Sequence, residues 1–171
     1  METWDAIRAR RNVRTYRDRP IATADLDRIL DAGRRAPSAR NTQPWEFIVV
    51  TGRDQLIELA RVWQGARHIA HSAATIAIAA PLSTDDRQAG LIQYDLGQAS
   101  MAMAIAAADL GIGSGHAAVA DQNLARTLLG LPSTHFLAYL LALGYPADKP
   151  LVPLTRPDRR SLATVVHRER W

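Results

Sequence analysis

The segment Arg87–Leu110 most limits what this chain can become. It lacks proline and reads as helix from end to end. Leu91, Leu96, Ala99, Met103 and Ala106 are spread around its surface, with further alanines among them. A helix that is apolar nearly all round is buried on most sides. A chain of 171 residues has the length of one domain. In a domain this small, such a helix is expected to pack against a second subunit. Gly111-Ile112-Gly113-Ser114-Gly115 then ends it.

The other segments are shorter. Glu2–Arg10 reads as a helix with Trp4, Ile7 and Arg11 on one side, and Asn12–Pro20 as polar, extended or turning chain. Thr23 is placed as the N-cap of a helix whose first turn holds Asp25 and Asp27, where carboxylates favour the helix dipole. Leu26, Ile29 and Leu30 carry that helix until Pro37. Trp45–Thr51 has strand composition, Asp54–Trp63 reads as helix, and Ala73–Ala80 as a buried strand closed by Pro81. Asp121 caps a short helix that stops at Gly130 and Pro132. Phe136–Leu143 is a strand. Beyond Tyr145-Pro146 the chain is rich in proline and extended, and it ends in Ser161–Trp171. Helices and strands interleave without a repeat or linker, so the expected class is α+β, one unit over residues 1–171 around one sheet.

Composition narrows the chemistry. There is no cysteine, hence no disulfide framework, thiolate nucleophile or cysteine-based metal site. Met1 to Arg19 is charged throughout, without the apolar run of a secretory signal, and no apolar stretch approaches the roughly 20 residues of a membrane span. A cytoplasmic protein without a membrane partner is expected. Net charge is +4, and of the 21 basic residues only Lys149 is lysine. Guanidinium forks pair bidentately with phosphate and carboxylate. The arginines are scattered along the chain, not gathered in a basic tail or patch, which argues against nucleic acid.

The common catalytic sets are absent. No Gly-x-Ser-x-Gly elbow, Walker loop or dinucleotide fingerprint follows a strand. His68 and His71 have metal-ligand spacing but no carboxylate beside them, so a packing or surface role is expected and no metal site. Three features remain. Arg10-Arg11-Asn12-Val13-Arg14 sets three guanidiniums and an amide where the first helix ends. Ala36-Pro37-Ser38-Ala39-Arg40-Asn41-Thr42-Gln43-Pro44-Trp45 packs hydroxyls and amides between prolines, and its amides can bond the imide-like edge of a heterocycle. Arg159-Arg160 sits in the C-terminal tail. Each alone reads as a solvated helix end, an ordinary turn or a charged tail.

Together these features resemble the nitroreductase-like flavoprotein family. "RRNVR" resembles its Arg-Arg-Ser-x-Arg pattern, and "APSARNTQPWEF" is similar to its Pro-Ser-x-x-Asn-x-Gln-Pro-Trp segment. "LGIGSG", "LGYP" and "RPDRRSLATVVHRERW" resemble its small-residue loop, late strand end and tail. The matches keep their order from residue 4 to residue 171.

The resemblance implies an α+β fold, a central mostly antiparallel sheet flanked by helices, in an intertwined homodimer whose C-terminal tails (158–171) are exchanged. It implies FMN at the dimer interface. Arg10, Arg11 and Arg14 would meet its phosphate, ribityl chain or pyrimidine edge. Asn12 stands where the family has serine and would keep a polar contact. Pro37, Ser38 and Asn41 of the other subunit would line the ring, with Gln43 nearby. Gly113 and Ser114 would approach through backbone groups, and Arg159 and Arg160 would complete the phosphate grip. The implied activity is hydride transfer from NADH or NADPH through flavin N5 to a nitroaromatic, quinone or similar acceptor in ping-pong fashion, with no protein side chain as catalyst. Two alternatives share the fold: a flavin-sequestering protein with little turnover, and a relative acting in dehalogenation or deazaflavin-linked reduction. The short stretch between Trp63 and Ala73 leaves little room for the helical excursion that covers the site in many members.

Overall fold

The computed structural model describes residues 1–171. Nine regular elements are named in chain order: α1 Thr3–Ala9, α2 Thr23–Arg34, β1 Glu46–Val50, α3 Arg53–Leu59, β2 Ala74–Pro81, α4 Asp86–Asp109, β3 Gly113–Ala117, α5 Gln122–Leu129 and β4 His135–Gly144. Short 3-10 turns cover Ala39–Asn41, Ala60–Val62, Gln64–His71 and Leu162–Thr164.

The four strands form one sheet in the order β1-β2-β4-β3, and every pairing is antiparallel. The central strand β2 explains the layering. Its side chains alternate between faces. Ala74, Ile76, Ile78 and Ala80 join a core with Leu26 and Ile29 of α2 and Leu96, Ala99 and Met103 of α4. Ala77 and Ala79 join a second core with Leu56 and Leu59 of α3 and Ala125 of α5. With both faces covered, β2 can be apolar along its whole length. The fold is α+β with helices on both sides of an antiparallel sheet.

Side-chain caps set the starts of α4 and α5. Asp85 caps α4 by accepting from the Gln88 amide at 2.7 Å, and Asp121 caps α5 by accepting from the Leu124 amide at 2.9 Å. Gly130 ends α5 in the left-handed conformation (φ 66°), which glycine reaches without Cβ strain. The expected cap at Thr23 is a correction. Ala22 is the N-cap, makes no side-chain bond, and its carbonyl takes the amides of Asp25 and Leu26. Ile21 packs on the core and sets the entry of the chain, so Thr23 is already helical. The segment beginning at Gly113, read as a loop, is strand β3; only Gly111 (φ 71°) makes the turn.

The long helix α4 packs one side on the sheet and α2. Its other side carries Leu91, Tyr94 and Met101, which are 42%, 68% and 47% exposed and lie on one stripe by helical spacing. The tail leaves the body after Leu154, whose amide donates to the Arg8 carbonyl. From residue 155 onward every residue is exposed, and the remaining hydrogen bonds are internal to the tail.

Candidate active site

The arginine segment is built into the sheet edge. The Val13 amide donates to the Ser114 carbonyl at 2.9 Å, and Asn12 pairs with Ser114 in a parallel bridge beside β3. Further on, the Arg17 amide donates to the Tyr145 carbonyl and the Ala147 amide to the Thr15 carbonyl. The glycines of β3 make this approach possible. A Cβ on Gly113 would lie 2.6 Å from a methyl of Val13. One on Gly115 would lie 3.0 Å from the Tyr16 hydroxyl, 3.2 Å from Nε2 of His68, and closer still to the Val13 carbonyl. These glycines thus admit the chain's own N-terminal segment.

Three arginines leave α1 with different fates. Arg11 is engaged: its guanidinium donates to the Asp148 carboxylate at 3.3 Å and to the Lys149 carbonyl. It ties the segment to the turn after β4. That carboxylate lies below its ordinary range, held there mainly by the Lys149 amide, then by Arg11. Arg10 and Arg14 make no side-chain hydrogen bond or ion pair. Beside them, the Ser114 hydroxyl is buried and has no partner. A buried hydroxyl without a partner is expensive. This corner therefore offers two free guanidiniums and one unsatisfied polar atom.

Two histidines join it. His68 is 7% exposed, and Nε2 lies 3.5 Å from the Gly115 carbonyl. Burial pushes its pKa below 6.5, and the charge of Arg14 adds to the effect, while the Gly115 carbonyl opposes it. Burial likewise lowers His116, with help from Arg10. Tyr16 donates to the Val13 carbonyl at 2.7 Å, and burial raises its hydroxyl pKa. Both rings favour the neutral form next to arginines, so the corner's positive charge comes from the guanidiniums. His71, three residues on, is exposed where His68 is buried.

The second predicted group stands elsewhere. Pro37–Gln43 precedes β1 and holds three non-glycine residues at positive φ: Arg40 (53°), Asn41 (58°) and Gln43 (49°). Each such conformation costs on the order of 1–3 kcal/mol. Ser38 supports the loop, its hydroxyl accepting from the Gln43 amide at 2.9 Å. The Gln43 side chain donates to the Asn41 carbonyl at 3.3 Å.

Register fixes how far apart the two groups lie. The loop enters at Glu46, opposite Ala79 and so at the Leu137 end of β4. The arginine segment sits at Ser114, opposite Leu143 at the other end of β4. They occupy diagonal corners, four strand spacings or roughly 19 Å across, since the arginine segment lies one position beyond β3, and a comparable length along the strands. Arg159 and Arg160 lie in the exposed tail and bond only Asp158 and Thr164. Within one chain, then, Arg10, Asn12, Arg14, Gly113 and Ser114 come together, while Pro37, Ser38, Asn41 and Gln43 form a second cluster and the tail arginines stand apart.

Comparison with known proteins identifies the family and the fold. The sequence profile described as the nitroreductase family matches residues 7–66. A protein of Archaeoglobus fulgidus bearing the provisional name NADH dehydrogenase/NAD(P)H nitroreductase is 32% identical over 169 residues, 96% of each chain. The chain belongs to the nitroreductase family. Membership makes it an oxidoreductase in class. Among solved structures of this nitroreductase fold, one from Parabacteroides distasonis with the same provisional name has a TM-score of 0.85 at 28% identity, covering 100% of this chain and 99% of that one. An FMN-dependent nitroreductase from Clostridium difficile has a TM-score of 0.84 at 24% identity, covering 97% and 98%, and shares the fold. No helix of this chain is long and apolar enough to cross a membrane.

His68, expected from the sequence to pack or to lie at the surface, is buried and meets the Gly115 carbonyl beside Arg14. Asp95 is not among the residues that the sequence motifs single out; a carboxylate in the middle of a largely apolar helix is the available signal, since buried charge needs donors.

Proposed function

We propose that this protein is an FMN-dependent NAD(P)H oxidoreductase whose flavin sites are each assembled from two copies of the chain. The observation that carries this reading is the β3 corner: Arg10 and Arg14 stand unpaired on the segment bridged to β3 at Ser114, whose hydroxyl is buried and without a partner. That donor set fits FMN, which brings a phosphate dianion and a ring edge of carbonyl acceptors.

In this reading Arg10 and Arg14 bind anionic oxygens of the cofactor, and the Ser114 hydroxyl gains its missing partner. Asn12 offers its amide beside them. Arg11 serves from behind, holding the segment against the turn at Asp148. Bound FMN would supply the two-electron chemistry, accepting a hydride equivalent from NADH or NADPH and passing it on to a nitroaromatic or quinone at the same face. The chain's part is electrostatic: guanidiniums carried on a segment anchored to β3 favour negative charge on the ring system.

The Pro37–Gln43 loop cannot reach this corner in its own chain, given the diagonal separation. A second copy can present it. The apolar stripe Leu91, Tyr94 and Met101 on α4 supports a homodimer, as does a tail with Leu162 75% and Trp171 99% exposed. We assign 158–171 to the partner's surface, where Arg159 and Arg160 would join the phosphate.

The test is direct. Purified protein loaded with FMN should run as a dimer, hold the yellow flavin through high-salt washing, and lose its visible absorbance under anaerobic NADH or NADPH. Protein that stays colourless after incubation with FMN would overturn the reading. A panel of nitroaromatics and quinones then identifies the acceptor.

A further inference from the structure

A second constellation, outside the arginine corner, concerns how the strained loop keeps its shape. Asp95 lies in the middle of α4 and is 2% exposed. Burying a carboxylate is expensive unless a cation or several donors satisfy it. No arginine, lysine or histidine pairs with Asp95; its partners come from the loop and from its own helix. Oδ2 accepts from the Ala39 amide at 3.0 Å, and Oδ1 from the Gln98 side-chain amide at 3.4 Å. The same Gln98 amide reaches the Pro37 carbonyl at 3.4 Å. One turn of α4 therefore grips the loop at two points, with an acceptor for residue 39 and a donor for residue 37.

What is gripped is the least relaxed backbone in the protein. Immediately after Ala39 come Arg40 and Asn41 at positive φ, followed by Gln43. Side chains other than glycine hold such conformations only where surrounding contacts over-determine them. On the near side the Ser38 hydroxyl supplies one such contact, to the Gln43 amide. The remaining anchor is the α4 pair.

We propose that Asp95, assisted by Gln98, is the positioning residue of the flavin loop: through the Ala39 amide it holds Pro37–Gln43 in the shape presented to the cofactor of the partner subunit. Asp95 touches no cofactor in this account and acts only through the loop. The inference rests on the flavin reading, but its mechanical half is independent of any ligand. It also places the loop and the exposed stripe of α4 on one rigid element, so docking two α4 helices would deliver each loop to the other chain.

The experiment compares full-length wild type, Asp95→Asn and Asp95→Ala. Asparagine keeps an acceptor for Ala39; alanine removes it. Amide hydrogen exchange over 36–43 is measured without FMN, then FMN affinity and the circular dichroism of the bound flavin. Asp95→Ala should exchange faster over 36–43 and bind FMN roughly 10- to 100-fold more weakly, the range expected for losing a hydrogen bond to a charged group. Asp95→Asn should recover most of both. A folded Asp95→Ala protein with wild-type exchange over 36–43, or with unchanged FMN affinity and flavin spectrum, overturns the proposal. If Asp95→Ala does not fold, Gln98→Ala, which removes the Pro37 contact alone, must show the same paired change in smaller degree; its absence overturns the proposal. Faster loop exchange in a protein whose wild type takes up no FMN would support the grip on the loop and overturn the flavin reading.

Discussion

His68 shows what one buried side chain adds to a corner made of arginines. Its ring is enclosed between the Gly115 carbonyl and the charge of Arg14, and its folded-state pKa lies below 6.5. The unfolded chain takes up that proton near 6.5, while the folded chain resists it to lower pH. The unfolded state therefore binds more protons in that window, and stability must fall as pH drops through and below about 6.5. Urea unfolding at stepped pH values should show this loss, and His68→Gln should flatten part of it. An acid limb identical in wild type and variant would exclude His68 as its source. The same ring limits its neighbour. With Tyr16 and Val13 also pressed against Gly115, no side chain fits there, which is why a glycine-rich run stands beside an arginine-rich one.

At the scale of elements, capping makes the clearest prediction. Asp121 accepts from the Leu124 amide, and α5 has only the turns between Gln122 and Leu129 to sustain it. Asp121→Ala should lower unfolding free energy by about 1 kcal/mol, read from the denaturation midpoint at unchanged slope. A variant as stable as wild type would mean the cap is replaced by water. This element was legible in the sequence because an aspartate at one end and Gly130 at the other act locally. Strands β1, β2 and β4 were legible for a related reason, as apolar runs bounded by turns. What sequence could not supply was contact across the chain. Thr23 looked like a cap because its side chain suits one, but tertiary packing of Ile21 moved the boundary. The 3-10 run Gln64–His71 is only eight residues long and is neither α-helix nor strand, so its sequence does not place His68 against β3. Asp95 is hidden for the opposite reason: in so evident a helix a polar residue looks like part of a solvated face, and only the packed structure shows that it is buried.

The whole molecule adds a constraint that no element carries: the predicted site residues fall on diagonal corners of one sheet and on a tail that leaves it. A monomer with this arrangement would expose the α4 stripe, Val165 and Trp171 to water, and hydrophobic surface of that kind calls for a partner. If the tail crosses to a second copy, one segment serves two purposes, since its apolar residues cover the partner and Arg159 and Arg160 reach the partner's cofactor. Deletion of Asp158–Trp171 should then weaken dimerisation and FMN binding together, seen by sedimentation across a dilution series and by flavin titration. Losing only FMN affinity would leave the arginines their role and give dimerisation to α4 alone. A truncated protein that stays dimeric and binds FMN as wild type does would return the tail to solvent and leave Arg10 and Arg14 as the whole of the anion grip. The coupled loss is the expected result because the body of the chain offers the tail no hydrogen bond beyond Leu154. Ordering so much exposed chain needs surface from elsewhere to offset its entropy.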